Sequence, residues 1–341
     1  MWYELIRRML NDKTLDEVLG FVNFDRSGDN IFYRRLDIPA ALVARRETKR
    51  WFAVKRYLSQ KMACRKPFIF HSSYYRVCSN PKAVNVVTVH DFTYEKYCSG
   101  VKRMLHSWSK RKALRDADHI VCISENTKSD LLSLNKDIDS SKISVIYNGA
   151  SEDFCRLPDS ERYQAGSEPY MVFVGSRASY KNFNLAVEVA AMSGIRLAVV
   201  GNKLSDDERA SVEKALGGNY IEYGRITNEE LNRLYNKAFA LIYPSLYEGF
   251  GLPVVEAQKA GCPVLALHTS SIPEIIGDTD QLVKKPEAGA FIEQIERLKE
   301  DSYRRKIVEE GEKNARRFSW DNTYRQYTAL YHTLMQKYKK A

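Results

Sequence analysis

Short apolar segments alternate with helical patterns throughout the second half of this 341-residue sequence. Five segments have the length and composition of strands buried on both faces: 170–176, 195–202, 219–224, 239–245 and 263–268. The stretches between them have helical periodicity, and Thr227 and Glu230 form a capping-box pattern at the start of one of them. Apolar strands separated by helices predict a doubly wound α/β domain with a parallel sheet. Ligands bind beyond the carboxyl ends of the strands in such sheets.

The first half of the chain shows the same alternation less regularly. Strands are predicted at 17–25, 67–73, 85–91, 119–124 and 142–149. Residues 45–66 are strongly basic, with an apolar stripe through Trp51, Phe52, Val54 and Leu58, and this pattern predicts a basic helix.

A polar stretch at 151–169 separates the two halves and is typical of an interdomain linker. We therefore predict one Rossmann-like domain over residues 1–152 and a second over 153–320. The last predicted helix, 321–341, contains aromatic residues that need a surface to pack on. We expect it to pack back on the first domain.

Positive charge is concentrated in the first half. Residues 1–150 contain 27 Lys/Arg and 16 Asp/Glu, whereas residues 151–341 contain 26 and 27. Residues 40–115 contain 18 basic and 3 acidic residues. Such a block is either a solvated face or a docking surface for phosphates, anionic lipid or nucleic acid, and no recognised nucleic-acid motif accompanies it.

Within this block, the predicted basic helix is the candidate membrane or acceptor surface. Its candidate residues are Arg45, Arg46, Lys49, Arg50, Trp51, Phe52, Lys55 and Arg56. The two aromatic side chains would insert shallowly among lipid headgroups, surrounded by the cations. The alternative is that the aromatic side chains face the domain core and the charges are only solvated.

The composition favours a cytoplasmic protein. No stretch approaches the roughly 20 apolar residues of a membrane-spanning helix, and the first residues lack the apolar core of a signal peptide. The six cysteines are scattered without a C-x-x-C pair, which fits free thiols in a reducing compartment.

The stretch "SLYEGFGLPVVEAQKAGCPVL" (245–265) follows one predicted strand and precedes another. Gly249 and Gly251 predict a sharp turn in which the backbone can approach a ligand. Pro253 suits the first turn of a short helix that Gly261 ends. The start of this helix would direct unpaired amides and a positive dipole at an anion such as a phosphate.

Two glutamates bracket this turn. Glu256 lies within the short helix and is placed to bind a diol beside the phosphate, while Glu248 faces the same cleft from before the turn. One geometry would thus serve a sugar nucleotide. The alternative is that the glycines only form a turn and both glutamates are solvated.

A second candidate stretch, "FVGSRASYKN" (173–182), places two cations after a predicted strand of the same sheet. Arg177 and Lys181 could clamp a diphosphate, and we expect both in an exposed loop. Taken singly, either residue could equally be a solvated charge.

These stretches, together with "SSIPEIIGD", "VHDFTYEKY", "ADHIVCISENTKSDLL", "KISVIYNGASEDF" and "FSWDNTYRQYTALY", resemble the retaining glycosyltransferases of family 4. Glu248 and Glu256 match the E-x7-E motif of that family. The resemblance implies the GT-B fold, an α/β architecture of two facing Rossmann-like doubly wound domains with the donor cleft between them.

The resemblance also implies roles for individual residues. Glu256 would bind the donor ribose, Glu248 would lie near the anomeric carbon, and His90 would approach the sugar from the first domain. The implied catalytic set is Glu248, His90, Arg177 and Lys181. The implied donor-binding set is Ser176, Arg177, Lys181, Gly249, Phe250, Gly251, Leu252 and Glu256. Without the resemblance, His90 would be interpreted as a histidine at the edge of the core.

Two features depart from the family pattern. The sequence "MWYELIRRML" is similar to the helix that follows the first strand and its glycine-rich loop. Either the start is truncated or assigned late, or the first domain lacks that strand. The spacing from Arg177 to Lys181 is short and resembles a subset associated with bacterial polysaccharide assembly and mannosyl donors.

The resemblance implies a hexosyltransferase that uses a nucleotide diphosphate sugar, with GDP-mannose favoured, and needs no metal. Its acceptor would be a lipid-linked bacterial surface glycan such as that of lipopolysaccharide, and the protein would be peripheral on the inner face of the plasma membrane. The expected partners are thus the nucleotide sugar, the glycan acceptor and an anionic membrane surface, without nucleic acid. The alternative is a sugar-nucleotide-binding protein without turnover; a phosphorylase-type enzyme would need a pyridoxal phosphate lysine that the sequence does not suggest.

Overall fold

The structure is a computed structural model that describes residues 1–12, 18, 20–24, 34–47, 57–164, 166–277 and 280–340. Within these ranges the chain forms three parallel β-sheets, and helices cover the faces of the two larger ones. The doubly wound α/β prediction is therefore confirmed.

The first domain is built on a four-stranded parallel sheet with the order β3-β4-β5-β6. Its strands are β3 (Phe68–Ser72), β4 (Ala83–Val89), β5 (His119–Cys122) and β6 (Ile143–Val145). The helices that the described residues of this half form are α1 (Trp2–Asn11), α2 (Thr93–Tyr97), α3 (Gly100–Asp116) and α4 (Glu125–Leu134). Strands β3, β5 and β6 fall within segments predicted from the sequence, whereas β4 begins two residues before the predicted segment 85–91.

Strand β4 shows why this sheet is covered on both faces. All seven of its residues are buried, and neighbouring residues point to opposite faces. Val87 packs with the helices that follow in sequence, whereas Val86 packs with Leu5 of α1 and Tyr327 of the terminal helix. The end of the chain thus supplies one layer of the first domain's core.

A separate pair of parallel strands, β1 (Phe21–Phe24) and β2 (Val43–Glu47), lies outside the four-stranded sheet. The prediction of a helix over residues 45–66 is wrong at both ends. Arg45 and Arg46 belong to β2, where pairing with β1 outweighs helical periodicity. Residues 57–66 form turns and irregular structure, and Leu58 is exposed. The remaining candidates of that surface lie outside the described residues: Lys49, Arg50, Trp51, Phe52, Lys55 and Arg56.

The second domain has a six-stranded parallel sheet with the order β12-β11-β10-β7-β8-β9. Its strands are β7 (Tyr170–Val174), β8 (Arg196–Val200), β9 (Tyr220–Gly224), β10 (Ala240–Tyr243), β11 (Val264–Leu267) and β12 (Leu282–Val283). Its helices are α5 (Phe183–Ser193), α6 (Asp206–Leu216), α7 (Asn228–Lys237), α8 (Leu252–Lys259), α9 (Ile272–Ile276), α10 (Ala288–Leu298) and α11 (Asp301–Ala315). This is the strand order of the Rossmann fold, in which the direction of winding reverses between the first and fourth strands, here β7 and β10.

Local signals in the sequence account for several of these boundaries. Thr227 and Glu230 make the reciprocal hydrogen bonds of a capping box at the start of α7. Helix α8 starts with proline in its first turn, and Gly261 follows it with a φ of 72°. Both features were predicted.

The chain passes between the domains at two adjacent points. Ala150 and Ser319 form a parallel bridge, and the amide of Ala150 donates to the carbonyl oxygen of Phe318. The linker is not loose, since Phe154 is buried in the core of the second domain. Helix α12 (Trp320–Lys340) then returns to the first domain.

None of the helices in the described ranges is both long enough and apolar enough to span a bilayer.

Candidate active site

The candidate site lies at the switch point between β7 and β10, beyond the carboxyl ends of these neighbouring strands. The loop after β7 carries Arg177 and Lys181, and the loop after β10 carries Glu248 and the glycine-rich turn into α8. The order of the strands therefore brings the two sequence-predicted stretches to one edge of the sheet.

Lys181 and Glu248 meet directly. Lys181 Nζ donates to Glu248 Oε1 at 2.6 Å, and their side chains are only 15% and 10% exposed. Lys181 ends a single 3₁₀ turn (Ser179–Lys181) that begins five residues after β7. This pair places one cation and one anion of the predicted site in mutual contact.

Two serines of the following loop hold the backbone around Glu248. Ser270 Oγ accepts a hydrogen bond from the Glu248 amide at 2.8 Å. The buried Ser271 hydroxyl lies 3.0 Å from the carbonyl oxygen of Glu248 and 2.9 Å from that of Phe250. Ser270 has a φ of 46°, a strained value for a non-glycine residue. Sequence reasoning missed both serines, although "SSIPEIIGD" was among the stretches that carried the resemblance.

The glycine at 249 makes room for the other domain. A Cβ at this position would collide with the carbonyl oxygen of His90 and crowd Asp91. The carbonyl oxygen of Gly249 accepts hydrogen bonds from Ser124 Oγ at 2.7 Å and Thr127 Oγ1 at 3.2 Å. The turn that was expected to approach a ligand is therefore also the point where the two domains touch.

Tyr247 extends this contact into the first domain's core. Its side chain is 2% exposed and packs within the apolar cluster of that domain. Its hydroxyl accepts from the Phe92 amide at 2.9 Å and donates to Asp130 Oδ2 at 2.8 Å. Burial and the carboxylate of Asp130 raise the pKa of Tyr247, so this hydroxyl keeps its proton at neutral pH.

The start of α8 has the features predicted for an anion site. Gly251 has a φ of 103°, and a Cβ there would lie 2.8 Å from Ile272 Cδ1. No side chain of the described residues caps this helix start, so the Leu252 amide has none of the usual capping partners among them. Phe250 itself is buried against Tyr147, so only its backbone is positioned to contact a ligand.

Glu256 lies one turn into α8. Burial raises the pKa of Glu256 to about 7, with Lys259 acting in the opposite direction. Both carboxylates raise the pKa of the buried Tyr243 of β10. Burial raises the pKa of Tyr243, and a hydrogen bond to Glu248 and the charge of Glu256 raise it further. The two glutamates of the motif therefore flank one tyrosine that the sequence analysis did not select.

Arg177 does not join this cluster. Its guanidinium donates to the carbonyl oxygens of Asn202 at 2.9 Å and Lys203 at 2.6 Å, and its Nε lies 2.8 Å from Glu208 Oε2. The side chain is 8% exposed, so the expectation of an exposed loop is wrong for Arg177 as it is for Lys181. Arg177 instead ties the loop after β7 to the loop after β8. Ser176 is exposed at the start of this segment.

His90 lies across the cleft, at the carboxyl end of β4. Burial lowers the pKa of His90, although the neighbouring Asp91 opposes this shift, and the imidazole is therefore neutral at neutral pH. Behind it, the buried Lys110 donates to the carbonyl oxygen of Asp91 at 2.7 Å and pairs with Glu95 at 2.9 Å. The fold thus places the backbone of His90 against Gly249, the residue that follows Glu248.

A third acidic residue of the second domain fastens the two domains together. Glu274 of α9 accepts hydrogen bonds from the amides of Glu125 and Asn126 at 2.9 and 2.8 Å, and from the Tyr147 hydroxyl at 2.9 Å. These amides begin helix α4, where a carboxylate is favoured by the helix dipole. No local sequence pattern predicts this contact, since Glu274 lies 149 positions from Glu125.

Taken together, this cleft offers a largely buried cation, an uncapped helix start and two carboxylates, and it is bounded on one side by a histidine that is neutral at neutral pH. Amides and a lysine bind phosphate oxygens, whereas carboxylates accept hydrogen bonds from hydroxyl groups. The arrangement suits a ligand with phosphate at one end and hydroxyl groups at the other.

Comparison with known families agrees with this geometry. Residues 20–154 match the domain described as "Glycosyltransferase Family 4", and residues 159–316 match "Glycosyl transferases group 1". The boundary between the two matches falls within the linker that the sequence predicted.

Several curated proteins are similar over much of the chain. An O-antigen chain mannosyltransferase B of Escherichia coli is 28% identical over 75% of this chain and 72% of its own length. The O-antigen chain mannosyltransferase RfbU of Salmonella typhimurium is 26% identical over 56% of this chain and 54% of its own length. This chain therefore spans only about half of the second relative.

Solved structures share the fold at lower identity. Sucrose-phosphate synthase from Thermosynechococcus elongatus has a TM-score of 0.65 and 22% identity, with 79% of this chain and 74% of that chain covered. HepE from Anabaena, solved in complex with UDP and glucose, has a TM-score of 0.63 and 17% identity over 74% and 72% of the two chains. With one glycosyltransferase domain matched in each half and this fold, the chain belongs to the glycosyltransferases with the GT-B fold, built from a family 4 domain and a group 1 domain.

Proposed function

We propose that this glycosyltransferase transfers a hexose, with mannose favoured, from a nucleotide diphosphate sugar to a growing bacterial surface glycan. The observation that carries the proposal is the convergence of Lys181, Glu248 and the uncapped start of α8 at the switch point. The preference for mannose rests on the two relatives that are named O-antigen chain mannosyltransferases.

The chemical problem is to break an anomeric C–O bond while negative charge develops on a diphosphate. Lys181 and the α8 amides would bind the diphosphate oxygens and stabilise that charge in a cleft that excludes much of the water. Lys181 must then exchange its contact with Glu248 for one with phosphate. We expect catalysis without an added divalent metal, and activity in the presence of a chelator tests this.

The two carboxylates would bind the hydroxyl groups of the donor. Glu256 would accept hydrogen bonds from the ribose diol, and Glu248, once released by Lys181, would lie beside the transferred sugar. His90 would donate to a sugar hydroxyl from the first domain. Transfer would retain the anomeric configuration, with the acceptor attacking the face that the diphosphate leaves and giving its proton to a leaving-group oxygen.

A lipid-linked acceptor at the cytoplasmic membrane surface is part of this proposal. It fits the excess of positive charge in the first domain, where residues 40–115 hold 18 basic and 3 acidic residues. A carrier lipid diphosphate and an anionic leaflet are both attracted to such a surface.

The competing function is a sugar-nucleotide-binding protein without turnover. It is favoured by the engagement of Arg177 with Glu208 and the loop after β8, which leaves Lys181 as the cation in contact with the motif glutamate. This alternative has the same ligands but predicts no product.

A thermal-shift screen followed by a product assay separates these functions. A donor that binds only the folded protein raises the melting temperature, so GDP-mannose is compared with UDP- and dTDP-linked sugars. We expect the largest shift in melting temperature with GDP-mannose. We also expect release of GDP when a bacterial surface glycan is added as the acceptor. Binding without release under all acceptor conditions would support the binding protein, and no shift with any donor would refute the proposed site.

A further inference from the structure

The outer face of helix α3 carries an apolar stripe that is not part of the core. Val101, Met104, Leu105 and Trp108 are 65%, 64%, 43% and 57% exposed. Their spacing of three, four and seven residues places them on one side of the helix. We call these four residues the α3 patch.

The opposite side of the same helix is firmly packed. Ser109, Lys110, Ala113 and Leu114 are each at most 4% exposed, so α3 cannot rotate to bury the patch. Two exposed tyrosines of α2, Tyr94 and Tyr97, widen the apolar area beside it. Single exposed apolar residues are ordinary, but a contiguous stripe of this kind marks a contact surface.

Positive charge surrounds the α3 patch. Of the six basic residues of α3, Arg103, Arg111, Lys112 and Arg115 are exposed, whereas Lys110 is buried on the opposite side. Lys112 pairs with Asp116, the one acidic residue of the helix, and Arg115 pairs with Asp137. The same side of the helix carries three basic residues further toward its C-terminus, at the spacing of further turns: Arg111, Lys112 and Arg115. A helix with a large apolar residue such as tryptophan among cations fits the boundary between lipid headgroups and acyl chains.

A cavity of about 470 Å³ opens next to the α3 patch. Arg103, Met104 and Arg111 line it from α3, and Leu134 lines it from α4. Glu95 of α2 also lines it, with its charge balanced by Lys110 at 2.9 Å. Neither arginine has a salt bridge with another residue of the described ranges, and the buried Ser107 Oγ in the same lining has no hydrogen-bond partner there. These donors provide the chemistry for a phosphate group beside an apolar surface.

The α3 patch is also next to the mouth of the candidate active site. The ring of Tyr97 lies 5.3 Å from that of Tyr180 and 5.8 Å from that of Tyr247. These two tyrosines immediately precede Lys181 and Glu248 in the sequence. A surface that contacts the α3 patch would therefore face the cleft.

We propose that the α3 patch docks this protein on an anionic phospholipid bilayer, with headgroup phosphates held between Arg103 and Arg111. The proposal adds to the proposed function, since a lipid-linked acceptor would be presented at the same bilayer. The α3 patch is a different surface from the one predicted at residues 45–56, most of which lies outside the described residues. The charge of α3 favours an anionic bilayer over a second copy of this chain, because two such basic helices would repel each other.

Vesicle sedimentation of the full chain tests the proposal. We expect binding to phosphatidylglycerol–phosphatidylcholine vesicles, little binding to pure phosphatidylcholine, and loss of binding near about 0.5 M salt, where charge is screened within a few ångströms. The variants Met104→Glu/Trp108→Glu and Arg103→Glu/Arg111→Glu should each weaken binding about tenfold or more. For the arginine variant the reason is that each cation near such a surface contributes about 1 kcal/mol.

Matched controls come from the second domain. Met192→Glu replaces a similarly exposed methionine, and Arg305→Glu replaces an exposed arginine, and neither should change vesicle binding. Equal binding to both kinds of vesicle, absence of binding, or equal loss in patch and control variants would overturn the proposal. So would a concentration-dependent dimer that the patch variants convert to monomer.

Donor binding keeps this test separate from the proposed function. The patch variants should keep the wild-type thermal shift with nucleotide sugars, because the patch does not contact Lys181 or Glu248. If vesicle binding fails while the donor shift remains, only the docking surface is wrong. If vesicle binding follows the patch while no donor binds, the docking surface stands and the proposed function is wrong.

Discussion

Lys181 Nζ lies 2.6 Å from Glu248 Oε1, although the two residues are 67 positions apart in the sequence. The strand order β10-β7 makes their loops neighbours at the carboxyl edge of the sheet. Each charge is balanced by the other in a site where both side chains are largely buried. A diphosphate that attracts Lys181 would therefore release the carboxylate at the position proposed for the sugar.

The first prediction concerns the stability of this pair. Lys181→Met and Glu248→Gln should each lower the free energy of unfolding by roughly 3 kcal/mol, because removal of one partner leaves a largely buried charge unpaired or a polar group poorly solvated. The double variant should recover most of that loss, which a double-mutant cycle by urea unfolding measures. As a control, Arg115→Met in the exposed pair with Asp137 should cost less than about 1 kcal/mol. Additive losses in the double variant would contradict the coupling.

The second prediction separates the two residues by their role in binding and turnover. Lys181→Met should weaken nucleotide diphosphate affinity, whereas Glu248→Gln should mainly lower kcat with little change in affinity. Calorimetry with GDP and a steady-state assay with the best donor give the two quantities. If both variants keep wild-type kinetics, neither residue belongs to the active site.

The third prediction follows from the raised pKa of Glu256. Its pKa of about 7 lies above the ordinary value of 4.5, so the folded protein holds a proton between these values that the unfolded chain has lost. The contribution of Glu256 to stability is therefore fully present below pH 4.5 and is lost as the pH rises toward 7. Relative to wild type, Glu256→Gln should gain roughly 3 kcal/mol between pH 4.5 and 8, since one pKa unit corresponds to about 1.4 kcal/mol.

Donor affinity should have the opposite pH dependence at Glu256. The ionised carboxylate can accept two hydrogen bonds from a ribose diol, so affinity should rise about tenfold between pH 6 and 8 as ionisation becomes complete. In Glu256→Gln the affinity should be weaker and nearly independent of pH. Calorimetry across this range measures both curves, and parallel curves for the two proteins would remove Glu256 from the donor site.

The fold and the location of the site could be predicted from the sequence, because they depend on local patterns. The strand segments, the capping box at Thr227 and the glycine-rich entry into α8 are each encoded within a few residues. Contacts between distant segments could not be predicted in this way. Arg177 has the residue type of a phosphate ligand, yet the carbonyl oxygens of Asn202 and Lys203 satisfy it instead.

The first half of the chain shows the same limit in another form. Residues 45–47 have a helical pattern of charge, but their partner strand at 21–24 decides their structure. Likewise, Gly249 could be recognised as a turn glycine, while its contact with His90 depends on how the two domains meet. Propensity and residue spacing predict the individual segments but not which other segments they contact.

The fourth prediction uses Gly249 to test the domain contact. Gly249→Ala would place a Cβ against the carbonyl oxygen of His90, so the two domains must move apart at the glycine-rich turn. We expect kcat to fall by about tenfold or more while each domain stays folded, because misplacement by about 1 Å can cost two orders of magnitude in rate. The control is Gly289→Ala in α10, where the added Cβ meets nothing within 4 Å and helical propensity favours alanine. Wild-type activity in Gly249→Ala would mean that the contact does not govern the site.

The last prediction concerns Glu274, whose carboxylate accepts three hydrogen bonds from the first domain. Glu274→Ala removes all three and uncovers the start of α4, so the closed arrangement should lose stability by roughly 1.5–3 kcal/mol for the charged hydrogen bonds. We expect a larger radius of gyration in small-angle scattering, faster proteolysis at the linker and a lower kcat, with the thermal midpoint of the individual domains preserved. Tyr147→Phe, which removes one of the three bonds, should give a smaller change in the same direction. Unchanged scattering together with unchanged kcat in Glu274→Ala would show that the Gly249 and Tyr247 contacts hold the domains together without it.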